Sequence, residues 1–125
     1  MNEQTDLVEQ EEPITPVCFR MFVGAHSIKS GDVQDDVIAI FPAEREYQAG
    51  HCGSYVHMGQ HGACSPLGLI GGFNTPDGKH HRVTRWARPE EYAALKAELE
   101  RLGYRLKVYK RIPHSLYWWT AERSR

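Results

Sequence analysis

Three of the chain's seven histidines and two of its three cysteines fall between positions 51 and 64. Thiolate and imidazole are donors that zinc prefers. Cys52, His57, His61 and Cys64 form a two-sulfur, two-nitrogen set of the kind that closes a tetrahedral structural site. Zinc is therefore the candidate cofactor, and a metal-dependent hydrolase the activity that would go with it. The spacing works against this: extended at about 3.3 Å per residue, His57 and His61 stand roughly 13 Å apart. One ion joins them only if Gly59 turns the chain. Neither a Cys-x-x-Cys knuckle nor a His-Glu-x-x-His helix occurs. The same residues allow a nucleophilic reading, with a Cys52 thiolate, His57 or His61 as base, and Gln60 or Glu46 to orient it. They also allow a reading without chemistry, in which the cysteines are small buried hydrophobes and the histidines bond to loop backbone.

The second concentration lies near the end of the chain. Arg82, Arg85, Arg88, Arg105, Lys107, Lys110 and Arg111 surround or precede Tyr109, Tyr117, Trp118 and Trp119. Basic side chains interleaved with aromatics suit phosphate neutralisation and base stacking. Trp118 and Trp119 also suit the hot spot of a protein interface. The candidate binding residues are thus Arg105, Lys107, Tyr109, Arg111, Trp118 and Trp119. A protein partner is the leading reading, nucleic acid the second, and a second copy of the chain a further candidate. Gly68-Leu69-Ile70-Gly71-Gly72 lacks the Lys-Ser/Thr of a phosphate loop, and Gly-x-Ser-x-Gly is absent.

At 125 residues the chain has room for one core. Its net charge of −1 hides a division: residues 1–13 hold five acids and no base, whereas residues 79–125 hold twelve Lys and Arg against five Asp and Glu. No apolar run approaches the roughly 18 residues of a membrane span. The polar, acidic start is unlike a secretory signal, and an odd cysteine count argues against a disulfide framework; both give a cytoplasmic expectation.

The elements that must position these residues are readable from periodicity. Residues 1–15 form an expected disordered acidic arm, 16–113 one α+β domain, and 114–125 an aromatic and basic tail. Strands are expected at 17–23, 37–41, 54–58, 67–70 and 82–86. Pro89 and the acids Glu90 and Glu91 open a helix over 89–102. Tyr92, Leu95, Leu99 and Leu102 form its apolar stripe, and Gly103 stops it. A last strand alternates Leu106 and Val108 with Arg105, Lys107, Tyr109 and Arg111. The order implies an α+β fold, a small, largely antiparallel sheet with one long helix packed on one face.

Three segments carry a resemblance: residues 36–42 (DVIAIFP), residues 52–62 with Ser-Tyr-x-His-x-Gly-Gln-His-Gly, and residues 88–104 with their Arg-Pro-Glu-Glu-Tyr start and Gly-Tyr end. Over roughly residues 17–111 the chain resembles a group of short uncharacterised proteins encoded by bacterial phages and mobile genetic elements. The resemblance implies that setting and brings no catalytic residues. With the exposed tryptophans, it implies a small non-catalytic interaction protein that binds a host or element protein.

Overall fold

Val17, Phe19, Val37, Ala39, Phe41 and Tyr55 occupy odd positions, and Cys18, Ile40, Cys52 and Cys64 even ones. Successive strand residues face opposite ways, so the two sets form two apolar clusters on opposite faces of one sheet. The computed structural model describes residues 13–57, 59–116 and 118. Strand β1 (Ile14–Phe22) leads through two 3-10 turns to β2 (Val37–Arg45), followed by β3 (Cys52–Val56) and β4 (Gln60–Cys64). A short helix α1 (Pro66–Gly71), the two-residue strands β5 (Phe73–Asn74) and β6 (His80–His81), and β7 (Thr84–Trp86) come next. Helix α2 (Pro89–Arg101) and β8 (Arg105–Val108) complete the core.

The main sheet runs β4-β3-β2-β1-β7, all antiparallel, and β8 pairs with β1 in parallel. Asp36 holds the β1–β2 connection by accepting from the Ser27 hydroxyl and the Ile28 N–H. In β2, Val37 through Pro42 are buried without interruption, as expected for a strand covered on both sides. Pro42 falls where the register with β3 shifts between Phe41 and Arg45, a bulge that tolerates its missing donor.

Helix α2 begins at Pro89, with the Glu91 carboxylate accepting from the Arg88 N–H at 2.8 Å. It buries Leu95 and Leu99 completely against Val17, Phe19, Val37 and Phe41. Gly103, with φ of 108°, makes the left-handed stop. The fold class is the α+β one expected, with differences of detail, among them a strand at Gln60–Cys64 where none was expected. Leu102 is 57% exposed, because the chain is already turning into Gly103 there. Residues 67–70 are helical rather than a strand: Ser65-Pro66 is a start signal, and Pro66 fits the first helical position. That helix, with Ile112, Leu116 and Trp118, covers the sheet face away from α2, so both faces are packed. Ile14 and Thr15, assigned to the arm, belong to β1 and pair with Arg105 and Leu106. Residues 1–12 lie outside the described residues. No helix among the described residues is long and apolar enough to cross a membrane.

Candidate nucleic-acid interface

The histidine and cysteine segment becomes the β3–β4 hairpin, and its pleat divides the donors. Cys52 opposes Cys64 on the α1 side, with sulfurs 3.8 Å apart. Tyr55 opposes His61 on the α2 side, their rings 4.5 Å apart. The zinc site of Cys52, His57, His61 and Cys64 is therefore corrected: a sheet separates its thiols from its imidazoles. No group of three or more His, Cys, Asp or Glu side chains among the described residues is placed to hold a metal ion. The Cys52 nucleophile with a histidine base fails for the same reason. The contact with the neighbouring Cys64 thiol, and then burial, push the Cys52 thiol far above its ordinary pKa, which opposes thiolate formation.

The histidine side instead ties the hairpin to α2. Glu98 accepts from the Tyr55 hydroxyl at 2.5 Å, from His57 Nδ1 at 3.0 Å and from the Gly59 N–H at 3.1 Å. The Tyr55 bond, with the His57 and Gly59 contacts behind it, holds the Glu98 carboxyl below the usual range despite partial burial. Burial, then the Glu98 contact, pushes the Tyr55 hydroxyl up to about 12. His61 reaches the Tyr104 hydroxyl at 3.3 Å, and Tyr104 stacks on Phe41. Both oxygens of Glu98 are engaged by these donors. The arrangement holds the hairpin tip against α2 and presents no nucleophile beside a base. Sequence reading had not connected Glu98 or Tyr104 to this segment; their spacing of about forty residues from the motif leaves no local signal.

A different place has the concavity a ligand needs. One edge of β1 serves two strands: β8 pairs with Ile14–Val17 and β7 with Arg20–Phe22. Because β7 and β8 run toward each other along that edge, their C-terminal ends meet near Phe19. The Ala87 N–H donates to Phe19 O at 3.1 Å and the Tyr109 N–H to Val17 O at 2.8 Å, and beyond these bonds both chains leave the sheet. The fork encloses a cleft of about 620 Å³. Phe19, Trp86, Tyr92 and Tyr109 line it, and Phe19 and Tyr92 stack at 4.4 Å. Arg85, Arg88 and Lys110 supply its cations.

These cations differ in availability. Glu91 holds Arg85 through two bonds, of 2.9 and 2.7 Å. The Arg85 contact keeps the Glu91 carboxyl at about 2. Arg88 is exposed, 4.0 Å from an equally exposed Glu90, and Lys110 is exposed. Arg105, Lys107 and Arg111 are exposed, while Leu106 and Val108 turn inward; Arg105 lies at the far end of β8, beside Leu102 and Tyr104, and the Lys107 ammonium lies 5.7 Å from the centre of the Tyr109 ring. Trp118 is corrected as an exposed anchor. Its half-buried ring packs on the α1-side cluster, the Arg45 guanidinium lies 4.5 Å from the ring centre, and its indole N–H donates to Pro42 O. Trp119 and Tyr117 lie outside the described residues. The chain matches no protein-family model, no curated protein and no solved structure.

Proposed function

We propose that the protein is a nucleic-acid-binding accessory protein that grips a single-stranded segment at the β7/β8 fork. The observation that carries this reading is the cleft itself, aromatic within and cationic at the rim. Its volume suits a ligand of nucleotide size. A base stacked on an aromatic side chain contributes about 1–3 kcal/mol, and phosphates on either side would meet Arg88 and Lys110. Duplex reading by α2 has less support, because that helix buries its apolar side and exposes Glu90 and Glu100. Anisotropy titrations with a labelled single-stranded oligonucleotide at two salt concentrations test the reading. Affinity should fall with salt by about one log-log unit per phosphate contact, and Lys110→Glu should flatten that slope. Tyr109→Ala should weaken binding by roughly 5- to 150-fold at unchanged slope. Absence of binding at low salt, or indifference to Tyr109→Ala, rejects it.

One observation favours the second reading, a non-catalytic interaction protein of a phage or mobile-element setting. Strand β4 pairs only with β3 among the described strands, and four of its five residues are exposed. Such an edge accepts a strand from a partner protein. Ala63→Lys should block that addition while leaving oligonucleotide binding intact, as read by co-elution with the partner on size exclusion.

A further inference from the structure

Cys52 and Cys64 stand directly opposite each other across β3 and β4, with sulfurs 3.8 Å apart. Opposed residues of an antiparallel pair have Cα atoms about 4.5 or 5.5 Å apart. Both values fall within the roughly 4.4–6.8 Å that a disulfide bridges. Both thiols are free and point to the same apolar side of the sheet. We propose that this pair is a modification site, a cross-strand dithiol that hydrogen peroxide converts into an intrachain disulfide while Cys18 stays a thiol.

Closing the bond requires the sulfurs to approach by somewhat under 2 Å, a movement within reach of side-chain rotation. Cys64 is 9% exposed and Cys52 fully buried, so Cys64 meets the oxidant first. The Cys64 sulfur, as thiolate, attacks one peroxide oxygen and the O–O bond breaks. A sulfenic acid forms, and the departing hydroxide takes up the thiol proton as water. The Cys52 sulfur then attacks the Cys64 sulfur, the S–O bond breaks, and the hydroxyl leaves with the Cys52 proton as a second water. Two thiols and one peroxide thus give one disulfide and two waters. Because the thiolate is the attacking species, the reaction runs faster in mild alkali than at neutral pH.

Register excludes Cys18. It opposes Ile40, which opposes Ser54, so β2 lies between Cys18 and β3. Two strand spacings are about 9–10 Å, beyond the roughly 7 Å limit for a bridge.

The test treats full-length protein with hydrogen peroxide, alkylates it under denaturing conditions, and measures intact mass and non-reducing peptide maps. Loss of two hydrogens, one alkylated cysteine, and a Cys52–Cys64 peptide pair that dithiothreitol separates are expected. Cys18→Ala should lose the same two hydrogens, and Cys64→Ala should form no bridge. A disulfide that includes Cys18, a disulfide between two chains, oxygen addition without a bridge, or three alkylated thiols would each overturn the proposal. The peptide map of the unaltered protein decides the matter even where a variant fails to fold.

Discussion

Glu98 shows how one carboxylate on a helix can define a hairpin about forty residues away in sequence. It accepts from Tyr55, His57 and Gly59, and Tyr55 is 1% exposed. Tyr55→Phe removes a donor from that charge and should cost about 1–3 kcal/mol in a urea titration. Acid should act on the same groups. A carboxyl whose pKa is lower in the folded chain adds stability above its ordinary value, and that increment disappears as pH falls through the folded one. Both Glu98 and Glu91 are lowered, Glu91 to about 2 from an ordinary 4.5. Melting temperature should therefore decline from about pH 4.5 down to about pH 2, and Glu91→Gln should make the decline shallower. The separation of thiols from imidazoles was present in the sequence as parity, with Cys52 and Cys64 even and His57 and His61 odd. What obscured it was residues 60–64, which carry few β-forming side chains and give no strand signal. Tyr109 and its basic neighbours were legible by alternation, whereas the inward turn of Trp118 was not, because no periodic pattern surrounds it.

At the scale of elements, local signals predicted well and pairing partners did not. Helix α2 was readable because Pro89, the early acids and Gly103 each act within one turn of its ends. Its energetic centre is narrower than its stripe. Leu95→Ala or Leu99→Ala should cost about 2–5 kcal/mol, whereas Leu102→Ala should stay within about 0.5 kcal/mol, in chemical denaturation. Helix α1 was missed because a run as short as Leu67-Gly68-Leu69-Ile70 fits a buried strand as well as a helix. The parallel partnership of β8 with β1 has no local signature at all, since it joins residues about ninety positions apart. The fork and its cleft depend on that partnership, and of the six candidate binding residues named from the sequence only Tyr109 lines the cleft.

Over the whole molecule, charge is distributed more unevenly than its total suggests. Residues 1–12 carry all five acids of the leader, and Ile14, two positions later, pairs with Arg105. Deleting residues 1–12 changes the net charge from −1 to +4. If the fork takes a polyanion, the deletion should tighten oligonucleotide binding at low ionic strength and have little effect near 1 M salt, where the Debye length is about 3 Å. Equal affinities for both forms at low salt would count against an electrostatic contribution from the leader.

The shared edge of β1 also sets an order on biosynthesis. Strand β1 leaves the ribosome about ninety residues ahead of β8 at Arg105–Val108, the segment that completes its outer edge. At about 5–20 residues per second, roughly 5–20 s pass between the two. For that interval the nascent chain presents an uncapped strand edge, open to mispairing with neighbouring chains. The fork therefore takes shape only after β8 has left the ribosome, about ninety residues behind the strand it completes.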